Sequence, residues 1–251
     1  MSKAITTGVV GSVSGIVTTV MGILWHLRYL EFVGAHDTAT NIQNLPIIYP
    51  DFLDKSIFLG FFQDLYVRSL LSDLQGLTLI LALLLVLTLI LIGIGLYGLG
   101  KIEGKSMGVV SLVVGIIGAI LVFLMLLLGA VAGPSTPTIV SLIVALYAPG
   151  LITQYPFHVL VLASGVPHVH TLFMSIGLFV VGVTFIIFGA TFINVREDLD
   201  SSSLSLATGI LSIIGGISLL FVVLFAWLAF IILFVTFIMA ALLFFNSREL
   251  A

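Results

Sequence analysis

The sequence predicts an all-α fold, a polytopic integral membrane helix bundle in which six transmembrane helices are favoured over five. Three observations carry that expectation. Hydrophobic residues make up 61% of the 251 positions and charged residues only 8%, against about 45–50% and 25% in soluble domains. Between Lys105 and Arg196 lie ninety consecutive residues without an Asp, Glu, Lys or Arg, which a solvated surface does not tolerate and a bilayer-facing one requires. Finally, the apolar residues fall into runs near the length of about 20 residues that crosses a hydrocarbon core of about 30 Å.

Taken in order, the first run is Ala4–Leu27, behind Ser2-Lys3. It is longer than a secretory h-region and has no small-residue cleavage pattern after it, so it reads as a retained membrane helix. Leu77–Gly100 and Met107–Gly133 form a hairpin around the charged turn Lys101–Lys105. Thr171–Asn194 follows, then an unbroken run from Leu204 to Phe245. At about 1.5 Å per residue the last run would reach about 63 Å as one helix, twice the hydrocarbon thickness, so it folds back into spans of about 204–224 and 226–245. The turn is expected near Val222–Ala226. A hinge at Gly215-Gly216 would leave the first of these spans too short.

Two outer segments complete this single membrane domain. The loop 28–76 carries Arg28, Lys55 and Arg68 among six acidic residues, and its second half reads as an amphipathic helix. That helix would start at Pro50-Asp51, with Asp51 as N-cap and Asp64, Arg68 and Ser72 on one polar line. The segment 134–170 breaks short apolar pieces, Thr138–Tyr147 and Phe157–Ala163, with Pro and Gly. Too short to span, they suggest a re-entrant or interfacial structure. With six spans, Lys3, Lys101, Lys105, Arg196 and Arg248 fall on one side, and the positive-inside rule makes that side, with both termini, cytoplasmic. Trp25 with Tyr29, and Tyr147 with Tyr155, lie at the inferred outer boundary as an aromatic belt would.

A faint parallel duplication relates the hairpin 77–133 to 171–225, through Gly115–Leu121 and Ser212–Ser218 at an offset of 97 residues. Small residues also recur at helical spacing. Gly8, Gly11, Gly15 and Gly22 line the first span, Gly115 and Gly118 the third, and Thr208, Ser212 and Gly216 the fifth. Such stripes let helix backbones approach closely in lipid, within the chain or between copies.

Chemistry has few carriers. Zero cysteines exclude disulfides, thiolate ligands and thiol catalysis. The spans hold no ionisable residue except His26 at an end, which argues against a proton-coupled pump. No phosphate loop, HExxH or GxSxG occurs, so no enzyme is expected. The expected cofactor is none. The alternative is a haem or metal ion held at an outer cluster of His26, His158, His168 and His170.

The texture of GVVSLVVGIIGAIL and LATGILSIIGG resembles that of small uncharacterised polytopic membrane proteins of thermophilic archaea. In outline only, the chain is similar to the six-span component of the crenarchaeal DNA-import apparatus, a resemblance that implies part of a channel and a nucleic-acid partner. The residues themselves lead to a multi-pass protein of the cell membrane, a non-catalytic subunit of a larger assembly partnered by lipid and by other subunits or its own copies. An oligomeric channel or import component for solute or DNA is the alternative from transport, and a haem- or metal-binding respiratory subunit the alternative from redox chemistry.

Overall fold

The computed structural model of the chain describes residues 2–48, 53–102, 104–131, 168–196, 201–220 and 222–247. Among them every regular element is α-helical: α1 (Ser2–Ile48), α2 (Leu53–Ile102), α3 (Met107–Val131), α4 (His168–Asn194), α5 (Ser202–Leu220) and α6 (Val222–Asn246). All six contain a stretch long and apolar enough to cross a membrane, at Lys3–Tyr29, Ser72–Ile102, Met107–Leu128, Ile176–Asn194, Ser202–Leu220 and Trp227–Asn246. The chain is a multi-pass helix bundle.

Each helix packs on its neighbours in sequence, and α1 packs on α6, so the six close into a ring. The even helices also touch one another, α2 with α4 and α4 with α6. The even helices therefore line the centre, and each odd helix sits outside between two of them. Contacts fix the directions. Gly8 of α1 meets Phe244 of α6 and Gly22 meets Phe230, so these helices are antiparallel and both chain ends lie at one end of the bundle.

The burial pattern repeats three times. Leu85, Thr88, Leu89, Ile92 and Leu96 of α2 correspond at a constant offset to Val181, Thr184, Phe185, Phe188 and Phe192 of α4, and again to Leu233, Thr236, Phe237, Ala240 and Phe244 of α6. Every one of these residues is buried. The odd helices follow the same rule: Gly8, Gly11, Gly15, Thr18 and Thr19 match Gly108, Ser111, Gly115, Gly118 and Ala119, then Ser205, Thr208, Ser212, Gly215 and Gly216, all buried. The duplication expected between 77–133 and 171–225 is thus two thirds of a threefold arrangement, whose last unit pairs α6 with α1. Equivalent residues of α4 and α6 meet at the centre. Phe185 lies edge-on to Phe237 at 5.5 Å, and Phe192 contacts Phe244 at 5.9 Å.

Two local devices set the elements. The α2–α3 turn ends in a left-handed residue, Gly104 at φ 67°, and the Lys105 amide donates to the Gly100 carbonyl at 2.8 Å. That is the Schellman arrangement, in which a glycine takes the conformation a Cβ would disfavour. The last apolar run breaks between Leu220 and Val222, just before the stretch where the sequence placed the turn. α5 passes through Gly215-Gly216 without hinging, because both positions are packing contacts: Gly215 against Leu233, Gly216 against the Gly182 carbonyl.

α1 and α2 differ from the expected loop at 28–76. Both helices continue beyond their spans, α1 through 30–48 and α2 from 53 to 71, and α2 is continuous with the segment expected as a separate amphipathic helix. Polar residues end a hydrophobic stretch without ending a helix, and α1 runs on through Gly34 and Pro46. The expected N-cap Asp51 and the segment 134–167 lie outside the described residues.

Candidate functional site

The stripes of small residues determine how closely the helices approach. A Cβ at Gly8 would lie 2.8 Å from the Phe244 ring, and Gly15 and Gly22 face the Phe237 and Phe230 rings in the same way. Three glycines seven residues apart thus receive three phenylalanines seven residues apart, an antiparallel knobs-into-holes seam. Gly11 lies against the α2 backbone at Leu91 and Ile92. Gly115 faces the Leu89 carbonyl, where a Cβ would stand 2.7 Å away, and Gly118 faces the Thr184 hydroxyl. Gly216 faces the Gly182 carbonyl. All seven glycines singled out in the sequence contact neighbouring helices of this chain.

Where α1 and α3 carry glycine, α5 carries serine. Ser205 donates to the Phe192 carbonyl at 2.6 Å and Ser212 to the Phe185 carbonyl at 2.7 Å. Their counterparts Gly108 and Gly115 face the equivalent carbonyls of Leu96 and Leu89. One position, one carbonyl and two solutions therefore hold the inner and outer helices together.

The remaining buried hydroxyls form directed bonds. Thr18 donates its single proton to the Ser14 carbonyl at 2.8 Å. Its 3.0 Å contact with Thr88 must then have Thr88 as donor, and the 3.0 Å contact between Ser14 and Thr88 must have Ser14 as donor. The three hydroxyls form one head-to-tail chain that clamps α1 to α2. By the same logic Thr191 donates to the Ile187 carbonyl, so Ser111 donates to Thr191 across 2.6 Å between α3 and α4.

The threefold comparison sets the α1–α2 seam apart, since Val114 and Gly118 of α3 and Leu211 and Gly215 of α5 stand where α1 carries the hydroxyls of Ser14 and Thr18. Ser14 and Thr18 seal the α1–α2 seam on Thr88, and the Leu233 side chain covers Gly215 in the α5–α6 seam. At the matching place between α3 and α4 stand Val114 and Gly118, with no hydroxyl to reach Thr184. A slot of about 310 Å³ opens there, lined by Val114, Ile117, Gly118 and Leu121 on one side and Phe179, Val183 and Ile187 on the other. Thr184 spends its proton on the Val180 carbonyl at 2.9 Å, so the slot is chemically a hydrocarbon surface. It faces outward near the middle of both spans, with Ile117 and Phe179 about half exposed. Sequence alone does not reveal it, because Gly118 reads as one more packing glycine until it is laid over Thr18.

No protein-family model, curated protein or solved structure matches the chain.

Of the four candidate histidines, the structure describes the side chain of His26 alone. His26 is buried, 5% exposed, at the core position that Leu126 holds in α3. His168 and His170 lie in the first turn of α4, and His158 lies outside the described residues. Among the described residues no three His, Asp or Glu side chains are grouped to hold a metal ion. Trp25 and Tyr29, expected as interfacial anchors, are buried and stacked at 5.4 Å, and the Trp25 indole donates to Thr78 at 3.0 Å. The Trp25 indole N–H faces the bundle because Thr78 offers a partner there.

Proposed function

We propose that the protein is a non-catalytic membrane subunit, a rigid six-span platform that binds partner proteins at the end of the bundle opposite its termini. The observation that carries this reading is the pair of helices that outruns the bilayer. Residues 30–48 and 53–71 continue α1 and α2 beyond their spans, which at about 1.5 Å per residue extends each by about 28 Å. In the membrane, α1 and α2 pair in a constant antiparallel register, Ile5 beside Gly98, Gly11 beside Ile92 and Trp25 beside Thr78. Continued outward, that register meets in the connection 49–52. The α2 extension carries Phe58, Phe61, Phe62 and Leu65, apolar residues that partner chains would cover outside the bilayer.

The filling of the bundle supports a platform over a pore. The layers Leu89, Phe185, Phe237 and Leu96, Phe192, Phe244 are buried at the centre, and Thr184 and Thr236 spend their protons on carbonyls of their own helices. A solute or DNA path would have to run between copies. The termini belong on the cytoplasmic side of the cell membrane, where Lys3, Lys101, Lys105 and Arg196 cluster at one end. Cross-linking the protein in its native membrane and identifying the captured chains tests the reading. Partners linked through residues 30–71 support it. Capture of no other protein, together with solute or DNA flux through reconstituted oligomers, replaces it with the channel.

A further inference from the structure

α3 and α4 pair in a constant antiparallel register, with Ser111 bonded to Thr191 at 2.6 Å and Gly118 against Thr184, so each step forward on one helix is a step back on the other. Counted five residues outward from the Ser111–Thr191 bond, that register brings Ser106 beside Arg196, with Lys105 next to it, at the end of the bundle that holds the termini. Counted inward, it reaches the apolar slot at Gly118 and Thr184. The walls of the slot run on between the two places. Val183 and Ile187 share a face of α4 with Asn194 at a spacing close to whole turns, as Ile117 shares one of α3 with Val110. Asn194 and Ser106 are exposed, so the slot lies beneath a mouth of polar and cationic groups.

We propose that this seam binds one membrane phospholipid, its phosphate held at Arg196 and Lys105 and one acyl chain laid in the slot. Depth fits this occupant. Along α4 the slot extends from Ile187 to Phe179, seven to fifteen residues from Asn194, or about 10 to 22 Å at about 1.5 Å per residue. One leaflet of a hydrocarbon core of about 30 Å is about 15 Å deep, which falls at Thr184 in the middle of the slot. A chain anchored at this surface therefore ends among the slot's methyl groups. Chemistry fits as well. Thr184 has given its proton to the Val180 carbonyl, so a hydrocarbon chain enters without leaving a polar group unpaired. At the mouth, a guanidinium can hold a phosphate through two parallel hydrogen bonds, and cations between helix ends at a membrane surface recognise lipid headgroups. Glu103 and the acids Glu197, Asp198 and Asp200 adjoin these cations in the sequence. The headgroup is thus selected by its phosphate, present in zwitterionic and anionic lipids alike, and not by net negative charge. A helix of a second copy fits less well, because close helix packing in lipid needs small residues at the surface. Gly108, Gly115 and Gly118 of α3 and Gly177, Gly182 and Gly189 of α4 are all taken by helices of this chain, and the outward rim of the slot is Ile117, Leu121, Phe179 and Val183. This site and the partner surface on α1 and α2 lie at opposite ends of the bundle, so either can fail without the other.

The test places the full chain in lipid nanodiscs containing a phosphatidylcholine with a photoreactive diazirine midway along one acyl chain, and maps the adducts by mass spectrometry. Adducts are expected to concentrate on Val114–Leu121 and Phe179–Ile187, severalfold above those on Val13 and Val17, exposed residues at the matching depth of α1. Val183→Phe, which fills the slot from its exposed wall, and Arg196→Gln at the mouth are each expected to lower the slot adducts severalfold. Arg196 lies beyond the end of α4, so its variant still decides the matter if Val183→Phe does not fold. A diacylglycerol with the same labelled chain and no phosphate is expected to mark the slot no more than the rest of the bundle. Even labelling of all outward faces, unchanged in Arg196→Gln, overturns the proposal in favour of annular lipid. Slot labelling that is as strong from the diacylglycerol overturns the phosphate site. Disulfide-linked dimers formed through Val183→Cys, in a chain with no native cysteine, overturn it in favour of a second copy.

Discussion

Gly115 and Ser212 occupy the same position in two repeats and face equivalent carbonyls, so each predicts how the other responds to change. A side chain at Gly115 crowds the Leu89 carbonyl, but a serine hydroxyl can recover a bond that alanine cannot. Gly115→Ser is therefore expected to retain more thermal stability in detergent than Gly115→Ala, by about 0.6 kcal/mol; equal melting of the two variants contradicts the equivalence. Phe237 bears on two helices at once, filling the space over Gly15 and meeting Phe185 edge-on. Phe237→Ala is expected to cost roughly 3 kcal/mol or more through the cavity it leaves, and to lower the melting temperature more than truncation of the exposed Phe245. The glycine stripes were legible in the sequence because small residues at helical spacing have few uses in lipid. Their partners were not, since Phe237 is one of many apolar residues in its run and nothing local says that it meets a residue more than two hundred positions away.

Pairs of helices differ more than single residues suggest. The α1–α2 seam is held at mid-depth by Ser14, Thr18 and Thr88, while the matching α3–α4 seam has no such hydroxyls facing Thr184. Replacing Ser14→Val together with Thr18→Gly gives the first seam the residues of the second. The double variant is expected to lose about 1 kcal/mol of stability, two interhelical bonds at their usual worth in membranes, and to leave α3–α4 contacts unchanged. Disulfide trapping across both seams, read alongside thermal melting, checks this. The existence of six spans could be counted from apolar runs because bilayer thickness sets their length. Where a helix ends is a different matter: hydropathy reports where lipid stops, and α1 and α2 keep their hydrogen bonds well past that point. Trp25 and Tyr29 illustrate the same limit, since position near a boundary does not tell whether an aromatic side chain faces headgroups or a neighbouring helix.

For the molecule as a whole, the threefold arrangement explains why a chain so poor in polar atoms has one fold. Each repeat contributes an inner helix bearing large side chains and an outer helix bearing small ones, and the third unit is completed only when α1 packs on α6. The sequence showed a trace of this in two segments, Gly115–Leu121 and Ser212–Ser218. The rest was hidden because the repeat conserves burial and size in place of identity, as in Leu89, Phe185 and Phe237, and because the third unit is split between the two chain ends. Closure of that ring with six crossings is the central claim. Its most direct test is the labelling of single cysteines, introduced at Ser2, Ser106, Ser201, Asn246 and, at the far end, Ser72, by a membrane-impermeant maleimide in sealed, oriented vesicles. All of the first four should label from one face and Ser72→Cys from the other; labelling of Asn246→Cys from the same face as Ser72→Cys would mean five crossings and an open ring.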